Sequence, residues 1–199
     1  MAKGPGGTRL IGPPMPKSYD YYTSERERLG TLGNGIDYYN RKSGGFVIWQ
    51  EGHKHANEGR SNDEFKFAKE LARLGYGVYL LPEDLKNGGV SFKLSVKGEP
   101  TFPDAKVGTY YYEQTTKQSD NAKYGILSAL EHASDKGVSL AAIYDKQGVL
   151  SRQSIQKGID WYEHNRARSG SNLIKLKGVL VVNKKHELYW HDMETLNKW

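Results

Sequence analysis

A mixed α/β fold, in which a β-sheet is covered by helices on both faces, is what this 199-residue sequence predicts. Three observations lead there. Residues 61–74 place Phe65, Ala68, Leu71, Ala72 and Leu74 on one face at helical spacing. Short β-rich runs, GFVIWQ, YGVYLL and VSLAAIYD, lie between segments of helical pattern. From Ser61 onward the elements read α–β–β–β–α–β–(α)–β, the order of a mixed sheet wrapped on two sides.

The elements follow in chain order. Residues 1–17 hold four Gly and four Pro and are expected to be extended or disordered. Residues 18–45 are polar, aromatic and glycine-rich, an irregular arm with one short helix near Ser24–Leu29. The arm's tyrosines are candidates to staple it to the body. Together, residues 1–44 form a Gly/Pro/Tyr-rich leader or arm ahead of a main domain at 45–199. GFVIWQ opens that domain as a strand. Ser61 or Asn62 caps the first long helix, Gly75 ends it, and YGVYLL follows as a buried strand. A loop with a strand near Ser91–Val96 leads into two strands, Phe102–Val107 and Thr109–Thr116, joined by a turn at Gly108. Ile126, Leu127, Leu130 and Ala133 mark the next helix, and VSLAAIYD the strand after it. SRQSIQKGIDWYEHNRARS reads as an exposed basic helix, and LIKLKGVLVVN with HELYW as a closing strand pair.

Composition narrows the function classes. The formal charge is +6 and the isoelectric point about 9.2, which favours polyanionic partners and raises nucleic acid among them. The absence of cysteine excludes disulfides, thiol nucleophiles and cysteine-type zinc sites. No apolar run is long enough to span a bilayer, and the N-terminus lacks the apolar core of a signal peptide.

Three carboxylates occupy chemically suggestive positions. Glu64 lies in the first turn of the long helix, Asp104 follows Pro103 at the start of one strand, and Glu113 lies on the next. Each has an ordinary explanation: a first-turn glutamate complements the helix dipole, and Asp after Pro is a common turn element. Brought together, they suit a hard divalent cation, which needs only one or two carboxylates when water and phosphate complete its shell. Such a cation activates water and neutralises charge on a scissile phosphate, and a nearby lysine assists.

The stretch from SNDEFKFAKELARLGYGVYLLPED through FPDAKVGTYYYEQTTK to NAKYGILSALEHASDKGVSLAAIYD resembles the PD-(D/E)xK nuclease superfamily. More narrowly, it resembles the C-terminal nuclease toxin domains of contact-dependent growth inhibition proteins and related bacterial polymorphic toxins. The resemblance covers roughly residues 45–190. It implies a restriction-endonuclease-like core and a metal-dependent endonuclease that cuts RNA, tRNA foremost, with DNA as the alternative. It further implies Mg²⁺ first, Mn²⁺ or Zn²⁺ otherwise, action in the bacterial cytoplasm, and a cognate immunity protein that is expected to be acidic. Position by position, Glu64 becomes the helix carboxylate, Asp104 the central metal ligand and Glu113 the second, with the carbonyl of Gln114 as a further ligand. The pattern's lysine falls on Thr115, a departure. Lys117 shares a strand face with Thr115 and Glu113 and is the expected replacement. A lysine elsewhere, Thr or Gln chemistry, and loss of activity stand as alternatives, the last leaving a nucleic-acid-binding module.

Further candidates surround this set. His53 and His55 lie two apart in a polar loop, suited to a general acid or a further metal contact but not to a helical zinc motif. Arg60, near the same helix N-terminus, is a candidate phosphate contact. Lys157, Trp161, Arg166 and Arg168, with Lys175 and Lys177, interleave cations with aromatics as RNA-binding surfaces do, and equally as a solvated helix face does. Along GTYYYEQ, Tyr110 and Tyr112 are expected to face opposite to Tyr111 and Glu113.

Overall fold

The computed structural model describes residues 10–30, 37–117 and 122–193. The sheet expected from the sequence is present, mixed in direction and flanked by helices on both faces. Eight strands run in the order β1-β2-β3-β6-β7-β8-β9-β10. They are β1 (Tyr38–Tyr39), β2 (Phe46–Trp49), β3 (Gly77–Leu80), β6 (Ala105–Val107), β7 (Tyr110–Lys117), β8 (Leu140–Asp145), β9 (Gly178–Asn183) and β10 (Leu188–Asp192). A separate two-stranded ribbon joins β4 (Lys93–Leu94) to β5 (Pro100–Thr101). Pairing is parallel for β2–β3, β7–β8 and β8–β9. It is antiparallel where β6 is inserted between β3 and β7, and at the outer pairs β1–β2 and β9–β10.

Alternation along the strands divides two cores. Val47, Trp49, Val78, Leu80, Tyr112, Leu140 and Ala142 point to one face, where α2 (Asp63–Arg73) buries Phe65, Phe67, Ala68 and Leu71. Asn62 caps α2 by accepting from the backbone N–H groups of Glu64 and Phe65. On the other face, Ala141, Ile143, Val179 and Val181 pack under α3 (Ala122–Lys136) and α4 (Arg152–Arg166). At the far end of that face, α1 (Tyr19–Leu29) sets Tyr22 against Phe46 and Ile48. Every parallel crossover therefore carries a helix, and the helices change face between β3 and β7.

Several expectations are revised. The early helix starts at Tyr19 rather than Ser24, because Ser18 caps it through the Tyr21 N–H. The expected strand at 91–96 shrinks to Lys93–Leu94, since Gly98 turns it straight back onto β5. The strand expected from Phe102 starts only at Ala105. The basic helix α4 is not exposed all round: Ile155, Ile159 and Tyr162 are buried against α3. Part of the stretch read as extended or irregular enters the core. Ile11 is buried on the α2 face, and Tyr76 donates its hydroxyl to the Gly12 carbonyl at 2.8 Å. Residues 1–9 and 31–36 lie outside the described residues.

The α3–α4 contact depends on Gly158, whose missing side chain leaves room for Ile126. Glycine in a helix interior ordinarily costs about 1 kcal/mol relative to alanine. Here a Cβ would collide with the buried Ile126 side chain. Gly158→Ala is therefore expected to lower stability by about 1–3 kcal/mol, the usual range for overpacking. Chemical denaturation checks the sign.

Candidate active site: a buried carboxylate pair at a strand divergence

β6 pairs with β7 over three residues, Ala105↔Tyr112 to Val107↔Tyr110. One step further the ladder would set Asp104 opposite Glu113. There the Gln114 N–H donates instead to the Asp104 carboxylate, 2.7 Å from Oδ2, while the Asp104 carbonyl accepts from Leu81 N–H. The two acids thus meet where the strands part, on the face that carries α3. Both are buried, Asp104 to 6% exposure and Glu113 to 8%, and Glu113 Oε2 has no hydrogen-bond partner.

Burial first, then the charge of Glu64, pushes the Asp104 carboxyl up to about 8. Burial first, then Asp104, pushes Glu113 up to about 10, against the lowering effect of Lys136. Without a cation between them the pair therefore holds protons at neutral pH. The donor set is the hard-oxygen kind that a divalent cation prefers, and the orphaned Glu113 oxygen leaves a lone pair for it. Among the described residues, no group of three or more His, Asp or Glu is placed to hold a metal ion. Two carboxylates leave most of such a cation's shell to water and phosphate.

Glu64 approaches from the N-terminus of α2 with 9% exposure. His53 pairs with it: Nδ1 meets the Leu81 carbonyl at 2.8 Å, and Nε2 lies 2.7 Å from Glu64 Oε2. Burial lowers the His53 pKa, but Glu64, the Leu81 carbonyl and Glu83 outweigh it and the net shift is upward. The more exposed His55 pairs with Glu58 at 2.8 Å and stands 3.8 Å from Glu64 Oε1.

Glu64 opens onto a cleft of about 530 Å³, walled by the start of α2, by Gln114–Thr116 of β7, by His132 of α3 and by Lys146. In open α/β sheets a crevice forms where the crossovers change face. Here α2 lies on one face and α3 on the other, and the cleft opens between them.

The remaining sequence candidates are distributed as follows. Thr115 lines the cleft. Lys117 ends β7 beside Asp145 in register, and its side chain lies outside the described residues. Arg60 is committed to the Asp37 carbonyl at 3.0 Å and is not among the cleft residues. Lys157, Trp161, Arg166 and Arg168 lie on or just after α4, away from the described cleft lining, and Arg166 pairs with Glu163. Tyr110 and Tyr112 do face opposite to Tyr111.

Three cleft and site residues escaped the sequence reading. Lys136 Nζ stands 3.9 Å from Glu113 Oε1 and donates to the Phe102 carbonyl at 2.9 Å. His132 lies one turn earlier on α3, and Lys146 follows β8. A lysine in a last helical turn or just past a strand gives no signal by itself; the packing of α3 against β7 is what brings Lys136 to Glu113.

No family model matches the chain, and no curated protein matches it significantly. Among solved structures it is similar to the CdiA-CT/CdiI toxin and immunity complex from Burkholderia pseudomallei. That likeness has 19% sequence identity, covers 65% of this chain and 81% of that one, and has a TM-score of 0.47. Among the described residues, no helix is long and apolar enough to cross a membrane.

The raised carboxyls give stability a definite pH dependence. In the unfolded chain the two groups ionise near 3.8 and 4.5, whereas the folded chain holds their protons to about 8 and about 10. Between those limits the folded state binds more protons, so stability is highest at the acid end and is lost as pH rises through the folded values. In chelator, Asp104→Asn is expected to flatten this slope and to stabilise the protein at pH 8 by about 1–3 kcal/mol, the scale of a relieved buried polar group. Thermal melts across pH measure both effects.

Proposed function

We propose that this chain is a metal-dependent endonuclease that hydrolyses phosphodiester bonds in RNA, tRNA foremost, and serves as a bacterial toxin domain. One observation carries the chemistry: Asp104 and Glu113 are buried together, with Lys136 beside Glu113, and Glu64, which lines the cleft, stands close enough to raise the Asp104 carboxyl. The substrate class, the toxin setting, action in the bacterial cytoplasm and an acidic immunity protein rest on the sequence resemblance and on the +6 charge.

Asp104 and Glu113 would hold the divalent cation, Mg²⁺ foremost and Mn²⁺ or Zn²⁺ otherwise, with the Gln114 carbonyl as a further donor. When bound, such a cation lowers the pKa of a water and offsets charge on the phosphate. The chain's own groups supply the rest. Glu64, held by His53, is positioned to orient the attacking water and accept its proton. Lys136 supplies the positive charge missing at Thr115, and its bond to the Phe102 carbonyl keeps the ammonium at the pair. His55, at the rim beside Glu64, can protonate the leaving oxygen.

The test incubates the purified chain with tRNA and with DNA in Mg²⁺, Mn²⁺ or Zn²⁺. Cleavage of tRNA that disappears in Asp104→Ala is expected. Lys136→Ala should reduce the rate about 100-fold, as loss of a transition-state charge partner does. Cleavage of DNA alone would move the assignment to a DNase. No cleavage with any metal, or an undiminished Asp104→Ala, would sink the nuclease reading and leave a nucleic-acid-binding module.

A further inference from the structure

On one wall of the cleft, three donors converge on a single carboxylate. Lys146 Nζ lies 2.7 Å from Asp63 Oδ2, and the Thr116 hydroxyl donates to the same oxygen at 3.0 Å. Lys66 Nζ stands 3.5 Å from the other oxygen, Oδ1. An ammonium and a hydroxyl aimed at one anionic oxygen, with a second cation at its neighbour, is the donor pattern that receives a phosphate.

The backbone of neither main donor depends on Asp63 for its place. Thr116 lies within β7, paired in register with Tyr144 of β8. Lys146 begins a loop that the preceding residue fixes: the buried Asp145 carboxylate accepts the backbone N–H groups of Gly148, Val149 and Leu150 at 2.8, 3.2 and 2.9 Å. The Lys146 side chain is 42% exposed, and a half-exposed lysine pair contributes little to stability. The pair is therefore poorly explained as a structural brace. All three of Asp63, Thr116 and Lys146 line the cleft that Glu64 also lines.

We propose that Lys146 and Thr116 form a phosphate-oxygen site for the nucleic-acid backbone, and that Asp63 fills this site in the free protein. Asp63 is an internal competitor. A backbone phosphate that enters the cleft displaces its carboxylate and takes over the two donors. The inference deepens the nucleic-acid reading above, because it names a backbone contact and a control built into the same cleft. The acidic first turn of α2 then has a second consequence besides complementing the helix dipole: it sets a threshold that weakly held anions do not pass.

The test is binding of a short, fluorescently labelled 2′-O-methyl oligoribonucleotide to the full chain in EDTA. Cleavage plays no part in that measurement. Asp63→Asn should tighten binding about fivefold, as a freed charge-assisted pair does. Glu187→Gln, which makes the same change in net charge outside the cleft lining, should tighten it much less. Adding Lys146→Ala to Asp63→Asn should abolish the gain, with circular dichroism confirming that the variants fold. The proposal is overturned if Asp63→Asn binds no tighter than Glu187→Gln, or if the gain survives loss of Lys146. Absence of cleavage in any metal would remove the nuclease assignment while this outcome still stood; a cleaving enzyme with unchanged Asp63→Asn binding would remove only this one.

Discussion

The arrangement depends on how two carboxylates come to share a dry place. β6 is only three residues long, and what ends it is the Asp104 side chain taking a backbone N–H that a longer ladder would have used. That substitution opens the sheet between β6 and β7 and sets Asp104 beside Glu113. A lone lysine at 3.9 Å does not balance two buried negative charges, so the groups carry protons until something more positive arrives. Strand geometry and electrostatics at this point are one problem.

The neighbouring elements serve that opening. Leu81 bonds to the Asp104 backbone, and its carbonyl orients His53, which in turn holds Glu64. The end of β3 thereby links the helix carboxylate to the strand pair through two residues. Trp49 packs edge-on against His53 and stacks on Phe65, so the imidazole is walled by the same aromatic layer that seats α2. From the other side of the sheet, α3 brings Lys136 to Glu113 and His132 to the cleft.

Much of this was legible in the sequence, for physical reasons. Apolar periodicity marks α2 and α3 because each buries one stripe, and strand alternation separates Tyr112 from Tyr111 and Glu113. Two strands joined at Gly108 allowed Asp104 and Glu113 to meet, but the register that brings them together is set where β6 and β7 part. Lys136 and Lys146 were not legible. A lysine in a last helical turn, or just past a strand, is ordinarily a solvated charge, and only the packing of α3 on β7 and the turn after β8 give these two a partner. The length of α4's buried face was also hidden, because its basic residues dominate the pattern while Ile155, Ile159 and Tyr162 set the packing. Arg60 illustrates the converse: its position near a helix N-terminus suggested an anion, yet its guanidinium serves a backbone carbonyl.

The Tyr76–Gly12 hydrogen bond spans 64 residues of chain. Closing a loop of that size has an entropic cost that only already-formed strands can offset, so contacts of this range are expected late in folding. Leu10 and Ile11 then act as a lid on a sheet assembled beneath them, laid down after the strands that follow them in the chain. In such an order the part of that face next to Tyr76 stays exposed to solvent, and to other chains, until the early segment returns to cover it.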